Sequence, residues 1–223
     1  MVVTMYSIDL SKITLDGFQE LLLSIDLLPS RKVLLDGLDE KIGKLKEAGF
    51  TNLSDLFTAL KSKSKAQTTS EATGIPLDYL NILRREIGSY ESKPVKLTDL
   101  DFFTKAELAV LESRGIKNTK QFFEAGLTED NQRAFIEKSG ITMDRFSEAF
   151  SLVDLLRING VGPVYAKMLY TMGIHGPKDY LERNPEEVLE LYTTMNESQY
   201  QGQLPALGMK DAVYCQRFCR LLD

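Results

Sequence analysis

Apolar residues recur along this chain at steps of three and four. Leu15, Phe18, Leu22 and Ile25 form one such series, and Phe146, Phe150, Val153 and Leu156 another. A series of that period lines one face of a helix, and that face has to be covered by a neighbour. No stretch alternates convincingly at the two-residue period of a strand, so the expected fold is all-α.

The pattern also repeats. LKEAGFTNLSDLF (45–57) aligns without a gap on LESRGIKNTKQFF (111–123), and the same register carries EATGIPLDYL (71–80) onto EKSGITMDRF (137–146). Leu45/Leu111, Gly49/Gly115, Asn52/Asn118, Phe57/Phe123, Gly74/Gly140 and Asp78/Asp144 are identical pairs. LYTMGIHGPKDYL (169–181) repeats the first half, with Leu169, Gly173 and Ile174 in register, and LPALGMKDAVYCQRFCRLL (204–222) is a looser copy of the second. Recurrence of this kind marks an array of stacked helical units. An apolar residue, a Gly four positions later and then at once Phe or Ile predict a helix stopped at a left-handed cap, which only Gly adopts without a Cβ penalty. Asn52, Asn118 and Gly176-Pro177 then supply turns before the next helix.

These boundaries divide the chain into an N-terminal helical extension (1–34), a divergent first repeat (35–96), a second (97–154) and a third (155–223). KSKSKAQTTSEA (61–72) reads as a helix end with a solvated turn, and YESKPVKLTD (90–99) as the joint between repeats.

Read back from their cap glycines, the copies differ in the turn that precedes the helix. The third has Asn159-Gly160-Val161-Gly162-Pro163, the first Leu35-Asp36-Gly37-Leu38-Asp39 and the second Asp101-Phe102-Phe103-Thr104-Lys105. Only the third keeps two glycines. Thr104 with Glu107 predicts a capping box that closes its own helix end, and Asp36 and Asp39 would repel an anion. In the third copy Pro163 suits the first helical position, and the N–H groups beyond it could face an oxyanion at the positive end of the helix dipole. Lys167, one turn further, could add a charged contact. The alternative is a packing turn, in which Val161 enters the core and the glycines only permit the bend.

Charge bears on this choice. A net charge of −5 disfavours non-specific attraction to polyanions, so a nucleic-acid role must rest on local charge. Residues 155–178 hold Arg157, Lys167 and Lys178 with no Asp or Glu. A buried hairpin poor in every charge would look the same. Hydrophobic residues at 43% and charged ones at 26% describe an ordered globular chain. No apolar run approaches the roughly 20 residues of a membrane helix, and MVVTMYSIDLSKIT lacks the pattern of a signal peptide, so a cytoplasmic location without membrane attachment is expected. Two cysteines exclude a disulfide framework.

Catalytic signatures are missing. His175 follows a helix cap in GIHGP, where it solvates a loop or caps carbonyls. Cys215 and Cys219 stand one helical turn apart on a stripe with Leu222, a core pattern and a poor zinc set. NPEEVLE reads as a helix start with carboxylates at the favourable end of the dipole. The expected protein is not an enzyme and uses no cofactor or metal.

DLLRINGVGPVYAKMLYTMGI (154–174), followed by LERNPEEVLELY, resembles the helix-hairpin-helix motif and, more closely, the bacterial family called domain of unknown function 4332. The resemblance runs from about Leu108 to Leu222 and is most specific at RINGVGPVYAKML. It implies tandem helix-hairpin-helix-like repeats of SAM-like type, stacked into one array. In proteins with that motif the equivalents of Gly160, Val161 and Gly162 form a hairpin whose amides contact a nucleic-acid backbone without reading sequence. Many DNA-binding members carry a basic residue right after the hairpin, where this chain has Val164 and Tyr165. The expected function is sequence-independent contact with a nucleic-acid backbone, DNA foremost, through Gly160, Val161, Gly162 and Lys167, assisted by Arg157. The alternative partner is another protein, for which the hairpins would be packing turns of a scaffold.

Overall fold

The structure, a computed structural model, describes residues 5–222. The described residues are helical, with two isolated bridges and no strand. They form two compact units, one of Ile8–Glu91 and one of Ser92–Asp223 joined by Met1–Ser7.

The Ile8–Glu91 unit contains α1 (Leu15–Ser24), α2 (Leu38–Glu47), α3 (Leu53–Ala59), α4 (Lys63–Thr73) and α5 (Leu77–Gly88), with 3-10 turns at Leu10–Lys12 and Pro29–Leu35. Phe18, Leu22, Leu34, Leu45, Leu53 and Leu80 make its core. Glu86, buried among them, pairs with Arg31 at 2.5 Å.

The segment 61–72, expected to contain a solvated turn, is instead almost wholly α4. Ser62 caps it by accepting the Lys65 amide at 3.3 Å, and Gly74 ends it at φ 68°. Its buried face is polar by composition: Thr69 and Thr73 donate their hydroxyls to the carbonyls of Lys65 and Thr69 at 3.1 and 2.7 Å. Threonines that bond their own preceding turn can pack inward without an unmet polar group, and that removes the apolar periodicity by which such a helix is read.

The second unit contains α6 (Lys105–Ser113), α7 (Thr119–Ala125), α8 (Glu129–Ser139), α9 (Met143–Leu155), α10 (Pro163–Thr171), α11 (Pro177–Glu182), α12 (Pro185–Tyr200) and α13 (Met209–Cys219). Phe122, Phe123, Phe135 and Phe146 cluster where α7, α8 and α9 meet. α10 packs on α9 and α12, and α13 on α11 and α12.

Helix bounds in the two segments follow one register. Asn52 caps α3 at φ −145° and ψ 170°, and Asn118 caps α7 at φ −142° and ψ 166°; each side chain accepts the amide three residues on at 3.0 Å. Ser62 and Thr128 cap α4 and α8 in the same way, and Gly74 and Gly140 end them. α2, α6 and α10 share a further signature. Gly49, Gly115 and Gly173 are left-handed at φ 90°, 76° and 77°. The next amide reaches back to Leu45, Leu111 or Leu169 at 3.1, 3.0 and 2.9 Å. That is the paired hydrogen-bond pattern of a Schellman cap.

Among the described residues no helix is long and apolar enough to cross a membrane.

Candidate nucleic-acid interface

The link between α9 and α10 is a tight hairpin. Gly160 sits at φ 93°, and the Val161 amide closes the turn by donating to the Ile158 carbonyl at 3.0 Å. Ile158 and Val161 turn their side chains into the core, whereas Gly160 and Gly162 are exposed. The hairpin is therefore both a packing turn on its inner side and a bare backbone surface on its outer side.

Its two glycines have different duties. A Cβ on Gly160 would lie 3.4 Å from Cys215 Sγ and 3.5 Å from the Tyr214 ring, so the left-handed backbone lies flat against α13. Gly162 is extended, at φ −91° and ψ 174°, with nothing within 4 Å of where a Cβ would be. It is the N-cap of α10, forms no side-chain cap and is followed by Pro163 at the first helical position. A helix end of this kind leaves its first N–H groups and the positive end of the dipole open to an external acceptor.

The equivalent ends of α6 and α2 differ. Thr104 Oγ1 accepts the Glu107 amide at 3.2 Å, and Glu107 Oε2 accepts the Thr104 amide at 2.7 Å, completing the capping box. Burial works to raise the Glu107 carboxyl, but hydrogen bonds from Arg145 and the Thr104 amide outweigh it and hold the group below its usual range. At α2, Gly37 is left-handed at φ 55° and the Lys41 ammonium donates to the Asp36 carbonyl.

The cations expected beside the hairpin are disposed unequally. Lys167 remains partly exposed on α10, yet its Nζ lies 2.5 Å from Asp101 Oδ2 and 5.6 Å above the Phe102 ring. Arg157 is 3% exposed and faces inward. Its Nε and Nη2 donate to the carbonyls of Tyr6 and Met5 at 3.0 and 2.9 Å, its Nη1 pairs with Asp154, and its guanidinium stacks 4.2 Å over Phe123. The structure thus gathers Gly160, Val161 and Gly162 on one hairpin with Lys167 on the following helix, and does not bring the Arg157 side chain to that outer surface. The acid-free window 155–178 has carboxylates from outside it: Asp154 stands one residue upstream, and Asp101 comes from the loop ahead of α6.

Beneath the hairpin lies a cluster that the sequence reading missed. Tyr165 and Tyr180 hydroxyls meet at 3.2 Å, Tyr180 donates to the Ala212 carbonyl at 3.3 Å, and Cys215 Sγ approaches the Asn159 carbonyl at 3.6 Å. Burial raises both tyrosines well above their usual range. Burial, reinforced by Asp211, pushes the Cys215 thiol up to about 12. Cys215 and Cys219 are both buried, as the α13 stripe implied.

His175 is exposed, its ring 4.8 Å from Tyr170 and its amide bonded to Asp179 at 2.9 Å. It borders a cleft of about 330 Å³ whose lining includes Phe123, Phe150, Asp154, Arg157 and Lys178.

No curated protein and no solved structure matches the chain. Residues 102–212 match the family described as domain of unknown function (DUF4332), a span that runs from the loop ahead of α6 through the hairpin into α13. The chain belongs to the DUF4332 family.

Proposed function

We propose that the protein is a non-enzymatic, cytoplasmic binding module built from tandem helix-hairpin-helix-like repeats, whose third hairpin contacts a nucleic-acid backbone without regard to sequence. The observation that carries this reading is the outer face at Gly162-Pro163: exposed, open for close approach and without a side-chain cap, where the matching end of α6 is closed by Thr104 and Glu107. Backbone amides at such an end suit a phosphate oxygen, and Lys167 supplies the nearby cation. The shared caps of α2, α6 and α10 support the repeat arrangement. Arg157 acts here only from within.

A protein-protein scaffold is the second reading. It is favoured by the inward turn of Arg157 and by the Asp101 carboxylate on Lys167, which leave the hairpin without an unpaired cation from that pair. One measurement separates the two: anisotropy of labelled duplex and single-stranded DNA and RNA at low salt, with the intact chain and with Gly162→Val. Binding that falls with salt and is weakened by Gly162→Val supports the backbone contact. No binding of any of these at micromolar protein leaves the scaffold.

A further inference from the structure

We infer that Arg157 is a clasp that closes the Ser92–Asp223 unit around the segment Met5–Ser7, fixing both points at which the chain leaves and re-enters that unit. The segment is separated from the rest of its unit by Ile8–Glu91, yet packs as part of it. Ser7 Oγ donates to the Ser92 carbonyl at 3.2 Å, so the departing and returning chain are joined directly. Ser92 Oγ donates to the Arg157 carbonyl at 2.7 Å, while the Arg157 guanidinium holds the carbonyls of Met5 and Tyr6. One residue thereby holds the returning chain with its backbone and the departing chain with its side chain.

The chemistry explains why arginine stands there. Its planar fork spreads its donors over separate nitrogens in fixed directions, so it reaches two successive carbonyls and a carboxylate on different sides, whereas an ammonium presents all its donors from one nitrogen. Its side chain is 4% exposed, so in the folded unit these acceptors, rather than water, satisfy its donors. Tyr6 completes the seat: its hydroxyl meets Thr119 Oγ1 at 2.6 Å, its ring meets Phe123 edge-on at 5.8 Å, and Thr119 Oγ1 in turn accepts the Val95 amide at 3.0 Å. Met5–Ser7 is thus an element of the folded unit, and Ile8–Glu91 is topologically an insertion.

The test is a double-mutant cycle on the full chain, read by segment-resolved hydrogen exchange. Arg157→Gln is combined with removal of residues 1–7, and each change alone should speed exchange in α7 and α9 by about tenfold or more, as loss of a bond to a charged group does. The combined variant should exchange little faster than the worse single one, because both changes open the same clasp. Exchange in α3 to α5 should stay unchanged. A shortened chain in which α6 to α13 unfold while α1 to α5 remain protected is the extreme of the same result. Normal protection of α7 and α9 in the shortened chain, or effects that simply multiply, would overturn the inference. Should Arg157→Gln fail to fold, Arg157→Lys, which keeps a charge but cannot reproduce contacts made from separate nitrogens to Tyr6, Met5 and Asp154, gives the same cycle.

Discussion

Lys167 Nζ and Asp101 Oδ2 stand 2.5 Å apart, tying the helix behind the hairpin to the loop ahead of α6. The Asp101 side chain is 75% exposed and that of Lys167 38%, so the pair adds little to stability, about 0–1 kcal/mol. Its consequence is electrostatic, since it masks the one cation that α10 offers. Asp101→Asn should therefore tighten nucleic-acid binding and steepen the salt dependence by roughly one released counterion. Lys167→Glu should weaken binding across all sequences. Salt titrations of both variants by anisotropy check this, with melting curves that stay within about 1 kcal/mol of the parent. Identical salt slopes in all three proteins would remove Lys167 from the interface.

The hairpin glycines should separate stability from binding. Gly160→Ala forces a Cβ into a left-handed backbone beside Cys215, and should cost about 1–2 kcal/mol in chemical denaturation. Gly162→Ala meets open space at an ordinary φ and should stay within about 0.5 kcal/mol of the parent. The two readings of the hairpin thus fall to different residues: Gly160 builds the turn and Gly162 leaves it open. A large stability loss for Gly162→Ala would contradict the open outer face.

Much of the helical layout was legible because it is written in local chemistry. Asn52 and Asn118 before their helices, and Gly49, Gly115 and Gly173 after theirs, fix backbone angles through contacts within a few residues, so identical letters give identical caps. α4 was obscured because its inward threonines satisfy themselves on their own backbone. The partners of Arg157 and Lys167 were illegible for a different reason. The acceptors for Arg157 at Met5 and Tyr6, and the carboxylate for Lys167 at Asp101, lie far away in sequence, and no count of charge along a window contains them. The Tyr165–Tyr180 contact was hidden likewise, since the two residues stand on different helices, α10 and α11.

Alkali should find the buried cluster beneath the hairpin. Burial first, with Asp211 second, raises the Cys215 thiol from 9.0 to about 12. A raised value means that the folded state favours the neutral thiol. Its stabilising contribution is fully present below about pH 9 and is lost progressively as pH climbs from 9 towards 12. Tyr165 and Tyr180 add to the loss in the same direction above pH 10, their ordinary value. Denaturation midpoints measured from pH 7 to pH 11 should therefore fall above about 9, and less steeply in Cys215→Ala. Native labelling of Cys215 and Cys219 by a thiol reagent should be slow and become fast on denaturation. Rapid native labelling would place the thiols at the surface.

The strictest packing demand falls on Gly126, the C-cap of α7. A Cβ there would lie 2.5 and 2.6 Å from the Phe150 ring and 2.9 Å from Phe146, both on α9, the helix that leads into the hairpin. Its φ of −106° is open to any residue, so the constraint is space alone. The matching cap of α3 shows the opposite solution. There the residue is Leu60, 1% exposed, and Leu80 and Arg84 stand where α9 carries Phe146 and Phe150. The leucine cap thus faces no aromatic ring at either position, and the glycine cap faces two phenylalanines. Gly126→Ala should therefore destabilise by about 1–3 kcal/mol through overpacking. Phe150→Leu should be costly alone, yet combined with Gly126→Ala it should restore part of the loss, because the shorter side chain vacates the space that the new methyl needs. Thermal denaturation of the two single variants and the double variant measures the coupling directly. Strictly additive losses would mean that the Phe150 ring does not occupy the space above Gly126.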